Sequence, residues 1–221
     1  MHRALVTGAS ALALVALTAS GQAADILTKA PPMLPPPSPA YSWTGFYLGV
    51  NGGGAWGRSY WDSAGPFNVS GGLVGGTLGY NYQVGSLVWG VEGDGDWSHI
   101  SGGVTNFGCP AGCSTTNDWL ATARGRLGYA FGSVLPYVTG GGAFGDIRAS
   151  SPGFAGATSD RAGWTLGGGL EFALAGKLSA KVEYLYVDLG RFDCGFACGV
   201  TAPDNVSFRT NIVRAGLNYR F

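Results

Sequence analysis

From Phe208 to Phe221 the chain alternates between two kinds of residue and stops on an aromatic side chain. Successive side chains of a strand point to opposite faces. Val213, Ala215, Leu217, Tyr219 and Phe221 therefore share one face, and Ile212, Arg214, Gly216, Asn218 and Arg220 share the other. The second face is polar or glycine at four of its five positions. A strand with lipid outside and a polar lumen inside reads this way, with its last aromatic at the membrane interface. Tyr219 and Phe221 are on this reading a C-terminal signal for the barrel-assembly machinery.

The two ends of the chain differ from its middle. His2 and Arg3 precede an apolar run from Ala4 to Ala19, and small residues stand at Gly21 and Ala23. A charged start, an apolar centre and small residues before a cut describe a secretory signal peptide over 1–23. Residues 24–42 hold Pro31, Pro32, Pro35, Pro36, Pro37 and Pro39, a density that favours extended polyproline II and makes a periplasmic tether. No later stretch is long and apolar enough for a membrane helix. Only 12% of residues are charged and the formal net charge is zero, which excludes the clustered Lys and Arg of a nucleic-acid partner.

Between residues 43 and 221 the chain breaks into alternating segments. Leu87, Trp89, Val91 and Trp97 oppose Glu92, Asp94 and Asp96. Trp119, Ala121, Ala123, Leu127 and Tyr129 oppose Thr122, Arg124 and Arg126; Trp164, Leu166, Leu170 and Phe172 oppose Thr165 and Glu171. Leu178, Ala180, Val182 and Tyr184 oppose Ser179, Lys181 and Glu183, although Leu185 and Val187 break the polar parity. Gly45 to Gly57, Gly71 to Tyr82 and Leu135 to Ile147 complete a set of eight with the last strand. Short connections near 83–86, 131–135 and 174–177 alternate with long ones at 58–70, 98–118, 148–160 and 190–207. This is the anatomy of an eight-stranded antiparallel outer-membrane β-barrel with both termini in the periplasm and four long extracellular loops. A secreted soluble barrel would also alternate. Glycine and small residues on the charged face favour the membrane barrel, because a narrow interior needs them and a solvent surface does not.

Several blocks also resemble a family. Trp43-Thr44-Gly45-Phe46-Tyr47-Leu48-Gly49, Gly75-Gly76-Thr77-Leu78-Gly79-Tyr80-Asn81-Tyr82-Gln83, Arg124-Gly125-Arg126-Leu127-Gly128-Tyr129, Leu135-Pro136-Tyr137-Val138-Thr139-Gly140-Gly141 and Glu183-Tyr184-Leu185-Tyr186-Val187-Asp188-Leu189-Gly190 are similar to the small porin-like surface proteins of alphaproteobacterial outer membranes. Those are relatives of the opacity and OmpA-type barrel proteins. The resemblance implies an eight-stranded barrel of the Gram-negative outer membrane, often immunogenic and without enzymatic activity. The chain departs from OmpA itself in carrying no peptidoglycan-binding domain after the barrel. Outer-membrane lipid and lipopolysaccharide are the expected surroundings.

An eight-stranded lumen is just wide enough for side chains to fill it. The residues assigned to it include Glu92, Asp94, Asp96, Glu171 and Glu183 against Arg124, Arg126, Lys181 and Arg214. Charges buried there are costly unless paired, so a mutually neutralised plug is expected, with a gate built on Arg124 or Arg126 as the alternative. No catalytic residue, cofactor or metal is expected. Cys109 and Cys113 fall in one long loop, Cys194 and Cys198 in another. Four cysteines of an exported chain permit three disulfide connectivities; local pairing is expected, because the two loops lie on opposite sides of the barrel. A four-thiolate zinc site is the alternative. Cleavage after Ala23 would leave a chain starting at Ala24-Asp25, and related barrels are joined to peptidoglycan through such a start, which makes this pair the candidate attachment point. Trp61 and Phe67 are expected in the first extracellular loop, where they would serve an adhesin. Gly140, Gly142 and Gly145 match a phosphate-binding pattern, but no helix follows to receive a phosphate.

Overall fold

The computed structural model describes residues 41–107, 109–153, 155–195 and 204–221. Ala24, Asp25 and Cys198 lie outside them, as do the expected signal peptide and most of the tether. Among the described residues there are eight strands: β1 Gly45–Trp61, β2 Gly65–Val84, β3 Leu87–Asn106, β4 Cys109–Tyr129, β5 Val134–Ser150, β6 Ala157–Ala173, β7 Leu178–Gly195 and β8 Asp204–Arg220. Each pairs antiparallel with its neighbour in sequence, and β8 closes the ring on β1 with Tyr47 opposite Arg220 and Trp61 opposite Val206. Closure leaves no strand edge, the condition under which a sheet can sit in lipid.

The exterior explains why these residues form strands. Phe46, Leu48 and Val50 on β1, Trp89 and Val91 on β3, Leu166 and Leu170 on β6, and Leu217 and Tyr219 on β8 all point outward and are exposed. A belt of exposed Leu, Val, Phe, Tyr and Trp around the whole ring is apolar on a scale that water does not support on a folded surface. Short turns join β2 to β3, β4 to β5 and β6 to β7. Gly85, at φ +60°, makes the first of them, in the left-handed region that side-chain-bearing residues rarely adopt.

At the other end the sequence expectation needs correction. The four stretches read as long extracellular loops are mostly strand. β1 and β2 stay paired up to Trp61 and Gly65, and β3 and β4 up to Asn106 and Cys109. Trp61 and Phe67 are buried, at 0% and 7% exposure, so they are not loop aromatics open to a partner. The reason is an inversion of parity. Beyond the level of Trp56 many inward residues become apolar (Phe67, Val69, Ile100, Ile147, Leu189, Phe208) and many outward ones polar (Arg58, Asn68, His99, Arg148, Arg209). The ring continues beyond this level as a barrel with an apolar inside and a polar outside. Leu185 and Val187, which interrupt the polar face of β7, mark this change and are fully buried.

Glycine sets the interior spacing at particular points. Gly79 faces Tyr47 across the β1–β2 ladder, and a Cβ there would lie 2.3 Å from the tyrosine ring. Gly76 points outward, where a Cβ would meet only the Gly49 carbonyl oxygen at 3.7 Å. Gly79→Ala is therefore expected to lower the unfolding temperature of the detergent-solubilised barrel, with overpacking of about 1–3 kcal/mol, and Gly76→Ala to leave it unchanged. Heating until the compact gel form is lost reads both.

Candidate functional site in the barrel interior

Three successive layers of inward side chains fill the ring. The first lies at the end with the short turns. Trp43 has no exposed surface and packs with Val88 and Leu135, with Tyr41, Ala130 and Ala173 beside them. Its indole N–H donates to the Gly132 carbonyl at 3.2 Å and its backbone N–H to Gln83 Oε1 at 2.8 Å. The guanidinium of Arg220 sits 4.9 Å from the Trp43 ring and 5.1 Å from that of Tyr41, and donates to the Ser42 carbonyl at 2.8 Å. The residues just before β1 thus form a stopper, held by stacking and by one arginine from the last strand.

The second layer is ionic. Arg124 donates through Nη1 to Glu183 at 2.9 Å and through Nη2 to Asp94 at 2.7 Å, with Glu92 a third partner. Arg214 reaches Asp94 at 3.0 Å, Asp96 at 2.8 Å and Glu183 at 2.9 Å. Arg126 pairs with Glu171 at 2.7 Å, and Lys181 with Glu92 at 2.9 Å. Every member is buried. Hydroxyl groups add further hydrogen bonds to these carboxylates: Tyr47 donates to Glu92 at 2.7 Å, Tyr137 to Glu183 at 3.0 Å, Ser179 to Glu171 at 2.6 Å and Thr122 to Asp94 at 2.7 Å. The Tyr137 ring also carries the Arg126 guanidinium on its face, 4.0 Å away.

All nine charged residues singled out in the sequence thus meet in one cluster built from five strands. Three members were missed. Arg220, 3.9 Å from Glu171, adds a fifth base to the five acids; its parity marks it as inward. Tyr47 and Tyr137 carry a weaker signal, an aromatic on the face that is otherwise polar or glycine. The arrangement is a set of acids locked to bases, with the guanidinium groups of Arg124, Arg126 and Arg214 each spanning carboxylates from different strands. The geometry is that of a cross-brace between strands.

The third layer is the apolar cluster beyond the parity change, in which Trp61, Phe67, Ile100, Ile147, Leu185 and Phe208 meet. Trp61 Nε1 donates to Thr115 Oγ1 at 2.9 Å, so its polar edge is satisfied. Asp146 is a further buried carboxylate with no distinctive sequence pattern. Its Oδ1 accepts the backbone N–H groups of Asp118 and Trp119 at 2.9 and 3.0 Å, where the β4–β5 register shifts between Thr116 and Leu120. Cys109 and Cys113 form a disulfide at the tip of the β3–β4 hairpin, and Cys194 is also disulfide-bonded. Tyr219 and Phe221 lie on the exterior, their rings 5.5 Å apart.

Removing one partner from a buried ionic cluster costs about 3–5 kcal/mol, because the charges left behind stay desolvated. Arg124→Ala is accordingly expected to lower the unfolding temperature in detergent substantially. Arg148→Ala, whose partner Asp118 is exposed, is expected to change it by less than the scatter of the measurement.

Residues 9–221 match the outer membrane protein beta-barrel domain family. The chain is 35% identical over 228 residues to the 31 kDa outer-membrane immunogenic protein of Brucella melitensis, a match covering 91% of this chain and 94% of that one. It is 34% identical over 194 residues to the 22 kDa outer membrane protein of Rhizobium leguminosarum bv. viciae, covering 84% and 82%. Among solved structures, the outer membrane protein OprG from Pseudomonas aeruginosa superposes with a TM-score of 0.52 at 14% identity, over 80% of this chain and 97% of that one; at that identity the likeness is one of fold. The closed ring, its apolar belt and these matches agree, and the chain belongs to the outer membrane protein beta-barrel domain family.

Proposed function

We propose that this outer-membrane barrel is a structural and surface-exposed element of the envelope, neither an enzyme nor an open pore. One observation carries the reading: the interior is filled at three levels, by the Trp43 stopper, the ionic layer and the apolar cluster. The short turns and the stopper then face the periplasm, and the extended hairpins face outward. In this orientation the exposed tips are the antigenic surface. Tyr219 and Phe221, at the exterior edge, are the contact offered to the barrel-assembly machinery.

Single-channel recording of the refolded protein in a planar bilayer tests the closed reading. Silence is expected from the wild type, and steady conductance would establish a porin instead. Opening only in Arg124→Ala or Arg126→Ala would assign the plug to these arginines.

The proposal includes a covalent tether from Ala24 or Asp25 to peptidoglycan. Sacculi boiled in detergent should retain the protein until muramidase releases it, and release by boiling alone would remove the tether. A second, adhesive reading rests on Phe107, whose side chain stands fully exposed at the β3–β4 tip beside the Cys109–Cys113 disulfide.

A further inference from the structure

On the outer surface, β7, β8, β1 and β2 together form a groove of about 600 Å³ whose walls include Trp56, Arg58, Tyr60, Tyr186, Arg191 and Arg209. Its charges are arranged against their own electrostatics. Arg58 and Arg209 are direct cross-strand partners on β1 and β8, and like charges placed opposite one another destabilise a ladder. Asp188 on β7 relieves only part of this. Its Oδ2 accepts from Nε of Arg209 at 2.9 Å, while its Oδ1 accepts the Gly190 backbone N–H at 2.8 Å. Among the described residues the terminal amino groups of Arg209 make no hydrogen bond to a carboxylate, and Arg58 forms no ion pair. Arg191, one row further from the lipid belt, adds a third positive charge opposite Ser207. Three arginines against one aspartate leave the groove cationic.

Its position and its walls identify the anion. The stretch from Phe46 to Trp56, at ~3.3 Å per residue and a strand tilt of ~40°, rises roughly 25 Å, the height of the apolar belt of such barrels. Trp56 thus stands at the far boundary of the hydrocarbon and Arg58 and Arg209 just beyond it, at the depth of a lipid headgroup. Trp56 and Tyr60 are half exposed beside the arginines, at 50% and 41%. Aromatic faces next to paired guanidinium groups suit a sugar ring that carries a phosphate: the ring lies on the aromatic, and the phosphate takes charge-assisted bonds from both arginines. Asn211, beside them, is held in place by accepting from the Tyr184 hydroxyl at 2.6 Å and donating to the Trp56 carbonyl at 3.2 Å.

We propose that this groove is a binding site for the phosphorylated disaccharide headgroup of lipid A, the outer-leaflet lipid of lipopolysaccharide, with one phosphate bridging Arg58 and Arg209. The phosphate neutralises the repulsion between β1 and β8 and so fastens the seam at which the barrel closes. The assignment of the leaflet rests on the orientation proposed above.

The test uses the full folded chain in detergent micelles, titrated with bisphosphorylated lipid A, with the same lipid A after phosphatase treatment, with phosphatidylglycerol, and with inorganic phosphate. Wild type is expected to bind bisphosphorylated lipid A at least about tenfold, or 1.4 kcal/mol, more tightly than the Arg58→Ala, Arg209→Ala double variant. Arg148→Ala, elsewhere on the exterior, is expected to bind like wild type. Loss of the compact gel form on heating verifies that each variant is folded beforehand. Equal binding by the double variant and wild type would overturn the site. Equal binding of dephosphorylated lipid A would overturn the role of the phosphate. Phosphatidylglycerol or free phosphate binding as tightly as lipid A would overturn the assignment to that headgroup. A conducting wild type, by contrast, would remove only the closed-barrel reading.

Discussion

The bore of an eight-stranded ring is fixed by strand number and tilt, and at this diameter every inward side chain is a neighbour of most others at its level. An arginine placed there cannot turn to solvent. It must find its counter-ions within the ring, both on the neighbouring strand and across the bore, as Arg124 does in Asp94 and Glu183 and Arg214 in Glu183 and Asp96. Space limits the wall in turn. A Cβ at Gly53 would lie 2.7 Å from Cβ of Arg214, and one at Gly75 would lie within contact of the Asp96 carboxylate. The glycines and the ionic layer are two halves of one solution: Arg214 lies opposite Gly53, Arg124 opposite Gly141 and Asp96 opposite Gly75, so each of these side chains is admitted by a glycine on one neighbouring strand.

How much of this can be read from sequence depends on the environment on each side of the wall. Within the lipid belt the outside must be apolar and the inside is free to be polar, so parity separates Trp89 and Val91 from Glu92 and Asp94. The eight strands, their order and their facing are legible there. Beyond the belt the outside is wet and the core needs apolar filling, so the same alternation carries the opposite meaning. Trp61 and Phe67, next to Pro66 and Gly65, then look like loop residues under a rule that expects apolar side chains to point outward. The strand continues, and the rule for reading it has changed sign.

Other parts of the interior have no comparable signal. Asp146 is one acid in a glycine-rich strand, and its role depends on a register shift in β4 that no local pattern announces. Trp43 precedes the first strand, and its place inside the ring follows only from the contacts it makes with Gly132 and Arg220. These features depend on which strands meet, a property of the closed ring and not of any one segment.

The stopper has a consequence for the order in which the barrel is made. Arg220 and Ser42 are 178 residues apart in the chain, yet they are joined by a hydrogen bond, and the adjacent β1–β8 ladder is the longest-range pairing in the sheet. Contacts of such separation carry the largest loop-closure entropy and form late. Until the final strand arrives, Arg220 is absent and the Trp43 ring has no cation to stack on. The plug and the seam are therefore one event: the barrel is sealed at its short-turn end at the moment it becomes a barrel.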